Sequence, residues 1–170
     1  MQAMTVMAFA VPPGRIGCRV EIAPDWLDAH AGLAPAFYTA AFDLGIDALK
    51  QVLGIDEGYR LREQRSTVAL EAHLRILGPV PAGSTVELTA RIVDRDAKRV
   101  HVAQEMRLGD SLVALRESMT ISFDLVARRS CAFGPGVAAR IDALHAEQLQ
   151  LPPWHGEAHL LGVGRVPDDA

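Results

Sequence analysis

PAFYTAAFDLGIDALKQVLG at 35–54, followed by STVALEAHLRIL at 66–77, decides the fold. The first stretch opens on Pro35, a residue favoured at the first helical position because its missing N–H costs nothing there. It closes on Gly54, a suitable helix stop. Between them Thr39, Asp43, Asp47 and Lys50 recur at helical spacing in one polar stripe, while Phe37, Tyr38, Ala41, Phe42, Leu44, Ala48, Leu49 and Val52 cover the rest of the circumference. The spacing predicts a helix over 35–53 buried on most sides. In the second stretch the period changes to two: Val68, Leu70, Ala72, Leu74 and Ile76 are apolar, and Thr67, Glu71, His73 and Arg75 stand between them. That is a strand with one dry face.

Upstream, residues 16–23 read as a strand ending at Pro24, with 1–15 as an irregular extension. Downstream, the turn-rich GPVPAG at 78–83 leads into a strand in which Val86, Leu88, Ala90 and Ile92 alternate with Thr85, Glu87, Thr89 and Arg91. A third strand runs from 99 to 108. Gly109 and Asp110 then suit a two-residue hairpin, because Gly takes the positive φ that such turns need. A long last strand covers about 112–126. A small helix near 137–149 and an irregular tail complete a C-terminal segment at 134–170. The polar residues Thr67, Glu71, His73, Arg75, Glu87, Thr89 and Arg91 predict one sheet face that is solvent-exposed or a wet subunit contact.

The 170 residues suit a single domain. Seventeen Lys plus Arg against 21 Asp plus Glu give a net charge of −4, and the sequence pI is about 5.8, so no general basic surface is available for nucleic acid. No apolar run approaches the length of a membrane span, and the N-terminal apolar stretch lacks the cation of a signal peptide. Cys18 and Cys131 are too few for a disulfide framework or a thiolate metal site, which points to a cytoplasmic protein with reduced thiols. His155 and His159 lie four apart without a helical pattern or a third ligand, so no metal site is expected.

One strand, a loop, a buried helix and a train of antiparallel strands describe a sheet wrapped around a helix, an α+β arrangement. The chain resembles the hotdog-fold acyl-CoA thioesterases of the 4-hydroxybenzoyl-CoA type, and among them the betainyl-CoA branch. The likeness rests on PDWLDAHAGLAPAFY at 24–38, ALEAHLRIL at 69–77, DAKRVH at 96–101, ESM and FD within 117–124, and RRSCAF at 128–133. It implies an antiparallel sheet of about five strands around the long helix. It also implies hydrolysis of an acyl-CoA thioester without a cofactor, and a homodimer or dimer of dimers with acyl sites between subunits.

The family pattern is similar to Trp-x-Asp-x-Asn-Gly-His, then five residues and Tyr. Trp26, Asp28 and Tyr38 match it, and Asp28 takes the place of the catalytic carboxylate. His30 stands where Asn is expected, Ala31 where Gly is, and Gly32 where His is. Thioester hydrolysis needs a carboxylate to attack or to activate water, and donors for the oxyanion. Asp28 lies just ahead of a helix start whose N–H groups are such donors. His30 is either a further donor or an exposed loop residue. Gly32, without Cβ, admits a thioester close to the backbone. Trp26 and Tyr38 either wall the acyl pocket or belong to the core.

If Leu108 pairs with Ser111, Gln104 faces Leu115 and lies diagonal to Glu117. The pair then either satisfies itself or lines the acyl site. Lys98 and Arg99, or Arg128 and Arg129, are either donors to coenzyme A phosphates or solvated turn charge. Two further readings remain open: a hotdog enoyl-CoA hydratase using Asp25 and His30, and a non-catalytic acyl-CoA-binding protein.

Overall fold

The computed structural model describes residues 7–11, 14–152 and 154. Its strands are β1 (Met7–Val11), β2 (Arg15–Glu21), β3 (Arg65–Ile76), β4 (Thr85–Arg95), β5 (Arg99–Leu108), β6 (Ser111–Asp124) and the two-residue β7 (Arg129–Ser130). Its α-helices are α1 (Pro35–Leu53), α2 (Glu57–Glu63) and α3 (Pro135–Gln148). The strands form one antiparallel sheet in the order β1-β2-β4-β5-β6-β3, with β7 on the end of β6. α1 runs across its inner face. Residues 7–11, expected to be irregular, pair with β2 instead.

α1 has the expected bounds. Gly54 at its end takes φ 72°, the left-handed conformation that glycine adopts without steric cost, and its N–H bonds back to the last turn. Tyr38, Ala41, Phe42, Ala48 and Leu49 are buried against Val20, Val86, Leu88, Val102 and Met106. The helix comes close because Gly45 carries no side chain: a Cβ there would lie 2.7 Å from Gln104 Nε2 and 3.6 Å from Leu88 Cβ. α3 packs on β4 just beyond the point where β2 begins. Gln148, buried, accepts from Ile92 N at 2.7 Å and donates to Gly14 O at 2.6 Å, replacing ladder bonds that β4 lacks there. Arg140 Nε donates to Leu53 O at 2.7 Å, satisfying a carbonyl of the last turn of α1.

Two bulges change the register expected from alternation. In β3 the pairing slips between Ala69 and Glu71, so Leu70 is the extra residue. Thr67 therefore shares the inner face with Ala72, Leu74 and Ile76, and Val68 turns outward. In β6 the pairing jumps from Ala114 to Leu112, leaving Val113 as the extra residue, and its carbonyl accepts from Leu77 N at 2.8 Å and Gly78 N at 3.1 Å. The hairpin itself is as expected, with Leu108 opposite Ser111 and Gly109 at φ 57°. Glu71, His73 and Arg75 are exposed, and Thr67, Glu87, Thr89 and Arg91 are half-buried. His155 and His159 lie outside the described residues.

Candidate active site

The loop between β2 and α1 is closed by its own backbone. Leu27 bridges Leu33, Gly32 bridges Pro81, and Leu33 N donates to Val80 O at 2.9 Å. Inside it Asp28 N donates to Gly32 O at 2.9 Å and Ala31 N to Asp28 O at 3.1 Å. This turn puts Ala31 at φ 58°, a left-handed conformation disfavoured for a residue with Cβ. The position is the one at which the family pattern has glycine, so the backbone shape survives the substitution at a cost of about 1 kcal/mol.

The exposed carboxylate of Asp28 is aimed by the same turn. Its Oδ1 accepts from His30 N at 2.8 Å and more weakly from Gly32 N at 3.3 Å. Asp28, His30 and Gly32 thus meet in one loop. His30 contributes its backbone to Asp28, and its imidazole has no hydrogen-bond partner among the described residues. Directly beyond lies the start of α1, which has no side-chain cap. Pro35 has no N–H and Phe37 N goes to Ala34 O at 2.9 Å, so Ala36 N is a donor without a backbone partner among the described residues. Tyr38 is buried and its Oη donates to Gly78 O at 3.0 Å. Burial pushes its phenol up from the ordinary value, against a backbone hydrogen bond, and the Asp28 charge adds to the rise. Trp26 and Phe37 stack at 5.3 Å between centroids, 12° from parallel, each half-buried.

The remaining expected site residues lie elsewhere. Gln104 and Glu117 are not neighbours, because the Val113 bulge places Gln104 opposite Arg116 on the inner face and Glu117 opposite Ala103 on the outer one. Gln104 Nε2 donates to Phe42 O at 2.8 Å, which makes it a helix anchor. Glu117 Oε2 meets His101 Nε2 at 3.1 Å, both buried. Arg99 is held by Asp96 at 2.7 Å, and Lys98 lies exposed in the same turn between β4 and β5.

Alternation on odd positions also concealed a polar group on the inner face. Arg116, only 4% exposed, reaches Asp43 Oδ1 at 2.6 Å from a strand position flanked by Ala114 and Ser118. The polar break at an even position was the available signal. At the other end of α1, a shallow, open, largely apolar cleft lies between the helix and the inner face of the sheet, lined by Ile46, Leu49, Val100, Val102 and Phe133, with Lys50 and Thr67 at its polar edge. Among the described residues no cluster of His, Cys, Asp and Glu could hold a metal ion, and no helix is long and apolar enough to cross a membrane.

Comparison with known proteins points to one chemistry. Residues 22–141 match the profile of the thioesterase-like superfamily. A betainyl-CoA thioesterase of Pseudomonas aeruginosa is 33% identical over 147 residues, covering 85% of this chain and 92% of that protein. A Staphylococcus aureus protein solved in complex with CoA superposes with TM-score 0.76 at 20% identity, over 96% of this chain and 99% of that one. A thioesterase-type structure from Pseudomonas putida superposes with TM-score 0.69 at 27% identity, covering 94% and 99%.

Proposed function

This chain belongs to the thioesterase-like superfamily, and from that premise we propose that it hydrolyses an acyl-CoA thioester to the free acid and coenzyme A, with Asp28 as the reacting carboxylate. The observation that carries this reading is an exposed Asp28 whose Oδ1 is fixed by His30 N and Gly32 N beside the uncapped start of α1. In hydrolysis the carboxylate either attacks the thioester carbonyl or takes a proton from the attacking water, and the thiolate of coenzyme A leaves. The carbonyl oxygen gains charge as this happens. Ala36 N, at the positive end of the α1 dipole, is placed to donate to it, and one such donor contributes about 3 kcal/mol in known oxyanion sites. The reaction requires no cofactor. Reduced thiols at Cys18 and Cys131 fit a cytoplasmic setting.

The acyl group we assign is a cationic, betaine-type one, as in the P. aeruginosa relative. Residues 20–34, the loop that carries Asp28, hold Glu21, Asp25 and Asp28 and not one Lys or Arg, so the loop is anionic, whereas Asp43 and Asp47 on α1 are paired with Arg116 and Lys50. The Trp26–Phe37 stack adds an aromatic face two residues from Asp28. Such a face attracts a quaternary ammonium by about 1–2 kcal/mol. Trp26→Leu is therefore expected to lower the preference for trimethylammonioacetyl-CoA over its uncharged isostere 3,3-dimethylbutanoyl-CoA by roughly 5- to 30-fold. Equal kcat/KM ratios in wild type and variant would contradict the assignment.

A homodimer paired through β3 supports the same function. β3 is a sheet edge of 12 residues, with Val68 43%, Leu70 50% and Ile76 44% exposed. A long apolar edge of this kind invites pairing with a second copy. Wild type is expected to sediment at about twice the 18.3 kDa chain mass, singly or as a dimer of dimers. Val68→Lys with Leu70→Lys is expected to yield monomers with little thioesterase activity. A fully active wild-type monomer would refute this assembly.

A further inference from the structure

Val113 leaves the β6 ladder for no reason that the sheet itself supplies. The pairs on either side of it, Leu112 with Arg107 and Ala114 with Met106, occupy consecutive positions on β5, so the two strands would match without it. An extra residue gives up its ladder bonds and bends the strand, and such bulges recur beside active sites. What Val113 gains is a pair of donors. Leu77 N at 2.8 Å and Gly78 N at 3.1 Å converge on its carbonyl, just past the end of β3.

Those donors begin a short strut. Residues 77–81 read Leu-Gly-Pro-Val-Pro, and Val80 within them is fully buried. Pro79 and Pro81 each hold φ near about −65°, so the segment cannot absorb a displacement by turning about those bonds. One end of the strut carries the first turn of α1, where Tyr38 Oη donates to Gly78 O at 3.0 Å. The other end carries the Asp28 loop, through the Gly32–Pro81 bridge and the bond from Leu33 N to Val80 O at 2.9 Å. The aim of Asp28 depends on that attachment. His30 N lies 2.8 Å from Asp28 Oδ1 but Gly32 N lies 3.3 Å away, so a small shift of Gly32 makes or breaks the weaker bond.

We infer that Val113, through its backbone carbonyl, and Tyr38 are positioning residues for Asp28. The bulge sets the strut, the strut sets Gly32, and its two ends together fix the carboxylate relative to Ala36 N at the start of α1. This rests on the thioesterase reading above. Neither residue touches the reacting atoms. Their effect falls on the distance between the carboxylate and the oxyanion donor, where a misplacement of about 1 Å costs up to roughly 100-fold in rate. Binding of the substrate as a whole is left in place, so kcat falls while KM holds.

Two changes to the strut test this. Tyr38→Phe removes one link and keeps the ring, and deletion of Val113 removes the extra carbonyl while leaving the flanking β5–β6 pairs in register. Each is expected to lower kcat for thiol release from an acyl-CoA by roughly 10-fold or more, with KM within about 2-fold of wild type. The two changes combined should lose little more than the deletion alone, because both release the same strut. Ile141→Ala is the stability control. It truncates a buried side chain of α3, the helix whose Arg140 holds Leu53 O at the opposite end of α1, and should lower the melting temperature without lowering kcat. Amide exchange read by mass spectrometry follows the loop without any need for activity. In both strut variants exchange over residues 27–34 is expected to rise about 10-fold or more while β4 and β5 stay protected. A wild-type kcat in either variant, a combined loss equal to the product of the single ones, or unchanged exchange over 27–34 overturns the inference. A wild-type chain that releases no thiol would overturn the thioesterase reading instead, and the exchange result would still decide whether the strut holds the loop.

Discussion

Asp28→Asn is expected to keep the fold and the assembly and to lose roughly a hundred-fold or more of thioester turnover. An amide neither attacks a carbonyl nor accepts the proton of water. It does retain an oxygen that can accept from His30 N and Gly32 N, so the loop is held as in the wild type. Asp25→Asn should be mild, because Asp25 lies in the 3-10 turn Pro24–Trp26 and is exposed. His30→Ala is expected to weaken rather than abolish activity, since the backbone of His30 orients Asp28 whatever the side chain. Steady-state kinetics with size-exclusion chromatography checks all three variants. The reverse ranking, with Asp25 and His30 essential and Asp28 dispensable, would favour hydratase chemistry in this loop.

Gly45→Val is expected to destabilise the chain by about 3 kcal/mol, combining overpacking with loss of a buried hydrogen bond. Gly45 faces Gln104 on the inner side of the sheet, and a Cβ would sit 2.7 Å from Gln104 Nε2. Gln104 is fully buried, so its amide has no room to retreat without giving up Phe42 O. For a chain of this size the loss corresponds to a melting temperature lowered by roughly 9 °C. Gly45→Val with Gln104→Ala should recover part of the loss, because the second change removes the clash and the stranded amide together. Thermal unfolding of the single and double variants measures the coupling. Additive effects would show that Gly45 is constrained by something other than Gln104.

The helix and the hairpin were legible because their signals are local. Pro35 and Gly54 mark the bounds of α1, and Gly109 marks the turn that follows β5. The bulges were not, because whether Leu70 or Val113 is an extra residue depends on the partner strand and leaves no trace in alternation. Val113 is drawn out of register by Leu77 N and Gly78 N, which are remote in sequence. The Gln104–Glu117 pair failed for this reason alone. α2 is too short for a visible period, though its cap was readable: Asp56 accepts from Tyr59 N at 2.7 Å, the usual reach of an Asp before a helix. β1 is apolar at every position and carries no alternation at all. At the site, Asp28, Ala31 and Gly32 were found through the family pattern. The buried donors Tyr59 Oη, Arg65 Nε and Thr67 Oγ1, orphaned among the described residues, come from two elements, α2 and β3, that only the tertiary structure brings together, and leave no such pattern.

The most direct test of Asp28-dependent thioester hydrolysis is thiol release by the purified wild-type chain from a panel of acyl-CoAs that includes trimethylammonioacetyl-CoA and an enoyl-CoA. The expected result is one free thiol for each acid formed, fastest with the trimethylammonium substrate and lost in Asp28→Asn. Loss of enoyl absorbance without thiol release, or no thiol from any acyl-CoA, would contradict it.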